Sequence, residues 1–93
     1  MAEGKQRKEV FYSGHVQGVG FRYTTRRIAN QFDVSGFVRN LSNGQVHLVV
    51  EGREAELRPF LAEIAKTFAR EVTDTQVEEG VSTGEFTGFE IRF

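Results

Sequence analysis

The dipeptide Asn43–Gly44 restricts the fold of this chain more than any other feature, because it joins two segments with the composition of β-strands. Both residues tolerate a positive φ, which a two-residue hairpin turn requires. Residues 35–41 (SGFVRNL) precede the turn, and residues 45–52 (QVHLVVEG) follow it with apolar side chains alternating onto one face. The sequence therefore predicts an antiparallel hairpin in the middle of the chain.

Apolar residues at helical spacing flank this hairpin on both sides, over residues 22–32 and 54–70. Pro59 lies in the second pattern and removes one backbone donor, so we expect that helix to start late, near Ala55, or to bend. Three further segments have the composition of strands: residues 8–14, 71–79 and 86–93.

The order of these elements predicts an α+β fold, the ferredoxin-like βαββαβ sandwich. Its sheet is mostly antiparallel, two helices cover one face, and a short fifth strand lies at the C-terminus. A chain of 93 residues has room for one domain with one hydrophobic core. We expect residues 1–93 to form that single domain and residues 1–7 to be a loose tail.

Composition excludes several kinds of site. The chain has no cysteine, which excludes disulfides, thiolate nucleophiles and Cys-ligated zinc. Its two histidines, His15 and His47, lie in different segments without a second ligand at metal-site spacing. The sequence thus predicts no metal and no cofactor, and we expect His47 to be an exposed strand residue.

The charge and hydropathy of the chain restrict the kinds of partner that we expect it to bind. Net charge is −1, but residues 1–40 carry a balance of +4 and residues 41–93 a balance of −5. The basic half suits a small anionic ligand, although ordinary surface variation explains the asymmetry equally well. Nucleic acid would usually require a more basic domain. No apolar run approaches the roughly 18–20 residues of a membrane span, and no signal peptide is present, so we expect a cytoplasmic protein without a membrane partner.

A glycine-rich stretch, Ser13 to Arg22 (SGHVQGVGFR), separates the first strand from the first helix. Gly14, Gly18 and Gly20 allow backbone N–H groups to turn inward, and the first turn of the helix adds unpaired N–H groups. Together these groups form a cradle for a phosphate-sized anion. Arg22 falls in the first helical turn, where its guanidinium can bind two phosphate oxygens.

Two nucleotide-binding motifs do not fit this stretch. The P-loop needs a lysine followed by Ser or Thr after its last glycine, where this chain has Phe21 and Arg22. The dinucleotide fingerprint needs a glycine at the position of Tyr23.

Two motifs at the expected separation resemble those of the acylphosphatase family. GHVQGVGFR is similar to the family's signature loop, and GFVRNLSNGQV (Gly36 to Val46) is similar to its second motif. The resemblance extends from Glu9 to Phe93. Phe37 replaces a tryptophan often found in the second motif, and Gly20 stands where some animal members have cysteine.

The resemblance implies hydrolysis of the mixed anhydride between a carboxylate and phosphate by a monomer, with inorganic phosphate as product and inhibitor. It implies that Arg22 binds the phosphoryl group and that Asn40 orients the attacking water. Taken alone, Arg22 is typical of a helix surface and Asn40 of a strand end. The cradle amides map onto the loop from 15 to 21: His15, Val16, Gln17, Gly18, Val19, Gly20 and Phe21.

The candidate site has no carboxylate, and Asn40 cannot take up a proton near neutral pH. An acyl phosphate nevertheless suits it, because the leaving carboxylate is the anion of an acid with a pKa of about 4–5 and departs without a proton. The base can be a phosphoryl oxygen of the substrate, as is proposed for the family. The sparse site thus favours acyl phosphates over most monoesters.

Two other functions share this element order. RNA-binding modules stack bases on aromatic residues of the central strands. Residues 45–52 contain none, whereas Phe11 and Tyr12 of the first strand are a weak indication in favour of RNA binding. A non-catalytic phosphate-binding domain would resemble the one at the N-terminus of some carbamoyl-transferring maturation proteins. The chain begins with Met1 and ends shortly after its last strand, from which we expect a free-standing enzyme.

Overall fold

A computed structural model describes residues 4–93 of the chain. The elements are β1 (Gln6–Gly14), α1 (Phe21–Ala29), β2 (Val34–Asn40), β3 (Val46–Gly52), α2 (Glu54–Thr67), β4 (Val72–Val81) and β5 (Phe89–Arg92). The strands form a five-stranded sheet in the order β4-β1-β3-β2-β5. β1 pairs antiparallel with β3 and β4, β2 pairs antiparallel with β3, and only β5 runs parallel to its neighbour, β2. This arrangement confirms the predicted ferredoxin-like sandwich.

The ends of several elements differ from the predicted ones. β1 begins at Gln6, so the predicted loose tail over residues 1–7 is wrong for its last two residues, and residues 1–3 lie outside the described part of the chain. α1 ends at Ala29 rather than near residue 32, since the next residues form a hydrogen-bonded turn. α2 starts at Glu54, within one residue of the expected start near Ala55, with Pro59 inside it, and it ends at Thr67 rather than near residue 70.

The core lies between the two helices and one face of the sheet. A row of side chains crosses three strands in register, where Val10 of β1 and Val38 of β2 each face Leu48 of β3. All three are at most 1% exposed. Ile28 of α1 and Ile64 of α2 belong to the same buried cluster. Burial of this row fixes the register, because a shift by one residue would turn its side chains to the other face.

His47 of β3 lies on the opposite face of the sheet, and the prediction that it is exposed is wrong: it is 4% exposed. Its ring stacks on Phe11 with centroids 4.6 Å apart. Arg39 Nε donates to His47 Nδ1 at 3.0 Å, and His47 Nε2 lies 2.6 Å from Glu9 Oε2. Because Nδ1 accepts, the proton of the neutral ring is on Nε2 and is donated to Glu9. Strand alternation identified the face but not the neighbours that cover it.

Candidate active site

The loop between β1 and α1 has the backbone conformation that its glycines permit. Gly14, Gly18 and Gly20 have φ values of 125°, 81° and 79°, in a region that other residues rarely adopt. A Cβ on Gly14 would lie 2.3 Å from the carbonyl oxygen of Glu71. The next residue, His15, donates its backbone N–H to that same oxygen at 2.8 Å. The amide of His15 is therefore engaged, which leaves the cradle as residues 16–21.

The N-terminus of α1 has no cap from its own sequence. Gly20 is the N-cap residue and has no side chain with which to cap the helix, and the first turn contains no acidic residue. The first hydrogen bond of the helix runs from Thr24 N–H to the Gly20 carbonyl at 3.0 Å. The preceding amides, of Phe21, Arg22 and Tyr23, have no partner within the helix and carry its partial positive charge. This end of α1 can receive an anion.

Arg22 and Asn40 line the same cleft, which has a volume of about 250 Å³. Asn40 is the last residue of β2, opposite Val46 of β3, and the hairpin presents it at the cradle end of the sheet. Three of the predicted cradle residues, at positions 15, 17 and 19, do not line the cleft. The lining residues are Val16, Gly18, Gly20, Phe21, Arg22, Tyr23 and Asn40.

The start of α1 is anchored in the core. Phe21 is 2% exposed, and its ring stacks on Phe68 with centroids 4.2 Å apart. The ring centroid of Tyr12 lies 5.1 Å from that of Phe21, and burial raises the pKa of the Tyr12 hydroxyl, which keeps it neutral. Because Phe21 is fixed, the backbone of the adjacent Arg22 is fixed as well.

The side chain of Arg22 has an aromatic neighbour. Its guanidinium carbon lies 4.9 Å from the ring centroid of Phe93. No carboxylate within residues 4–93 forms an ion pair with Arg22. A cation at the mouth of the cleft, beside open helix amides, provides the positive potential that a phosphoryl group requires.

The sequence did not predict the contacts of two residues near the cleft, Tyr23 and Gln17. Tyr23 lines the cleft, and its position directly after Arg22 at a helix N-terminus was the available signal. The side chain of Gln17 turns away from the cleft and binds the hairpin instead. Val19 packs against the core, and His15 is exposed.

The fold and the cleft define an α/β sandwich with a glycine-rich loop beside a cleft, between its first strand and first helix. The acylphosphatase family model matches residues 8–91. An acylphosphatase of Thermotoga petrophila is 47% identical over 81 residues, which are 86% of this chain and 89% of the relative. The chain therefore belongs to the acylphosphatase family, and the resemblance of its two motifs is confirmed.

Solved structures of similar proteins have the same fold as this chain. The crystal structure of acylphosphatase from Bacillus subtilis matches with a TM-score of 0.86 at 32% identity, covering 95% of this chain and 99% of that one. The crystal structure of HypF from T. kodakarensis matches with a TM-score of 0.81 at 28% identity, but the match covers only 12% of that chain. The same fold thus occurs both as a short chain and as part of a much longer one.

Proposed function

We propose that this chain hydrolyses the carboxyl–phosphate bond of small acyl phosphates in the cleft between the cradle and Asn40. The reaction class follows from membership of the acylphosphatase family. The roles of the individual residues are the proposal. The amides of residues 16–21 and the guanidinium of Arg22 bind the phosphoryl group, and Asn40 orients the attacking water.

The observation that carries the proposal is the absence of competitors for the phosphoryl group. The first amides of α1 receive no side-chain cap from the N-cap residue Gly20, and the first turn has no acidic residue. Arg22 has no carboxylate partner in the described part of the chain. A dianionic phosphoryl group can satisfy both sets of donors at once, since charge-assisted bonds to phosphate are among the strongest that these groups form.

The chemistry that remains is positioning and charge stabilisation. In-line phosphoryl transfer leaves little covalent work for the protein. The carboxamide of Asn40 can accept from the water and donate to a phosphoryl oxygen, which fixes the direction of attack. The water's proton passes to a phosphoryl oxygen of the substrate, and the carboxylate departs as an anion.

No group of three or more His, Asp or Glu side chains within residues 4–93 is arranged to hold a metal ion. Metal-independent hydrolysis remains a prediction, and it has a direct test. Phosphate release from benzoyl phosphate should be the same with and without a chelator, whereas loss of activity in chelator would contradict the metal-free mechanism.

The test of the function compares two substrates that share a phosphoryl group and an aromatic ring. Benzoyl phosphate loses a carboxylate, and phenyl phosphate loses the more basic phenolate. We expect phosphate release from the first and at most a trace from the second, because the site provides no general acid. Equal rates on the two, or no rate on either, would contradict the proposal.

The likeness to HypF keeps a non-catalytic phosphate-binding role as the alternative. Phosphate binding without turnover of benzoyl phosphate would favour that alternative. The RNA-binding alternative has less support, since Phe37 is 8% exposed and packs edge-on against His47 and Phe86. A titration with single-stranded RNA should show no binding.

No helix within residues 4–93 is long and apolar enough to cross a membrane. We further propose that the protein is a cytoplasmic monomer inhibited by its product, inorganic phosphate. Sedimentation velocity at micromolar concentration tests the oligomeric state, and competition of phosphate with benzoyl phosphate tests the inhibition.

A further inference from the structure

We propose that Gln17 is a positioning residue, whose side chain fixes Asn40 relative to the phosphate cradle. This inference rests on the proposed function. Gln17 belongs to the cradle loop, but its carboxamide leaves the cleft and reaches the hairpin between β2 and β3. There Nε2 donates to the carbonyl oxygen of Leu41 at 2.8 Å and to that of Gln45 at 2.9 Å.

These two bonds use both protons of the Gln17 amide nitrogen. The orientation of the carboxamide follows from its partners, because a flipped group would place its oxygen against two carbonyl oxygens. Leu41 directly follows Asn40, and its own N–H donates to the Gln45 carbonyl at 2.8 Å, which closes the base of the hairpin. One side chain of the cradle loop is therefore hydrogen-bonded to the residue that follows β2 and to the residue that precedes β3, next to Asn40.

A second bond connects the hairpin to the strand that precedes the cradle. Gln45 Nε2 donates to the hydroxyl oxygen of Ser13 at 3.0 Å, at the end of β1. β1 and β2 are not neighbours in the sheet, because β3 lies between them. The bonds made by Gln17 thus join the cradle to the Asn40 hairpin without passing through the sheet's hydrogen-bond ladder, and the Gln45 bond holds the same hairpin to β1.

Loss of the Gln17 hydrogen bonds should lower the rate of turnover more than it weakens phosphate binding. Arg22 and the amides of the cradle hold the phosphoryl group whether or not Gln17 reaches the hairpin. In contrast, the water held by Asn40 must lie in line with the bond that breaks, and a misplacement of about 1 Å can cost roughly 10²-fold in rate. Without the Gln17 bonds, the hairpin and the cradle can shift against each other by such a distance.

The test replaces Gln17 by a residue of similar length that cannot donate. We expect Gln17→Met to lower kcat for benzoyl phosphate by about 10- to 100-fold, while inhibition by inorganic phosphate changes less than about threefold. Gln76→Met, on the exposed strand β4, is the matched control and should keep both values. If Gln17→Met retains the wild-type kcat, or loses phosphate binding as strongly as kcat, the proposal is overturned.

A double-mutant cycle separates positioning from general stabilisation. If Gln17 acts through Asn40, then Gln17→Met should cost little more in a protein that already carries Asn40→Ala. An equal loss in both backgrounds would overturn the inference. Should Gln17→Met not fold, Gln17→Asn takes its place in the cycle, because its shorter amide cannot reach both carbonyls. A wild-type protein without activity on benzoyl phosphate would contradict the proposed function instead, which keeps the two failures distinct.

Discussion

The guanidinium of Arg22 lies over the ring of Phe93, with its central carbon 4.9 Å from the ring centroid. An aromatic face attracts a cation without neutralising it, unlike a carboxylate. The ring therefore restricts the arginine side chain at the mouth of the cleft and leaves its full charge available. Phe93 is 90% exposed, so the contact explains what this large apolar side chain does at the surface.

Replacing Phe93 by leucine should weaken substrate binding moderately. An exposed cation–π contact is worth about 0.5–1 kcal/mol, which corresponds to a two- to fivefold rise in KM for benzoyl phosphate. Phe93→Tyr keeps an aromatic face and should behave as the wild type. Identical KM values for the leucine and tyrosine variants would show that the ring does not orient Arg22.

Gly14→Ala should destabilise the protein by about 2 kcal/mol or more. The new Cβ would lie 2.3 Å from the Glu71 carbonyl, at a φ of 125° that alanine rarely adopts. Urea denaturation measures the effect. Gly80→Ala is the control, because a Cβ there has no atom within 4 Å and no left-handed φ, and its midpoint should change little. Equal midpoints for the two variants would contradict this view of the loop.

Glu51 is a buried carboxylate that holds the segment after β4. It is 2% exposed and accepts hydrogen bonds from Arg7, Ser82, Thr83 and Gly84. Burial alone would raise its pKa, but the backbone N–H groups of Thr83 and Gly84 and the two hydroxyls outweigh it and lower the pKa to about 2. Folding therefore favours the ionised form.

This lowered pKa predicts acid destabilisation with a definite sign. The group binds its proton more weakly in the folded protein, so its stabilisation is complete above pH 4.5, the ordinary value, and disappears as the pH falls toward 2. The free energy of unfolding should lose about 3 kcal/mol more over this range in the wild type than in Glu51→Gln. Urea melts at several pH values measure it, and parallel curves for the two proteins would refute the assignment.

Local signals in the sequence were sufficient for the fold. Asn43–Gly44 predicted the position of the hairpin correctly, but the turn differs from the expected one: of the two residues only Gly44 has a positive φ, and three residues separate the paired Leu41 and Gln45. The ends of the helices were less predictable. Phe32 continues the apolar spacing of α1 and packs against the core, yet it lies in a turn after the helix, since burial requires only that its side chain face inward.

The site was predictable where backbone conformation determines it and less so where side chains cross between elements. The glycines indicated the cradle, and the structure places Arg22 and Asn40 in one cleft beside it. The bonds of Gln17 to the hairpin span 24 and 28 residues of sequence. Such contacts follow from the assembled fold and leave no periodic signal. The burial of His47 likewise results from contacts between segments that are distant in the sequence.

The central claim is that Arg22 and the cradle bind the phosphoryl group while Asn40 supplies the oriented water. Kinetics of Arg22→Ala and Asn40→Ala on benzoyl phosphate, with inorganic phosphate as inhibitor, test it most directly. Asn40→Ala should lose roughly 10²- to 10³-fold in kcat and remain inhibited by phosphate, whereas Arg22→Ala should lose turnover and inhibition together. A near wild-type kcat in either variant, or loss of phosphate inhibition on removing Asn40, would contradict the mechanism.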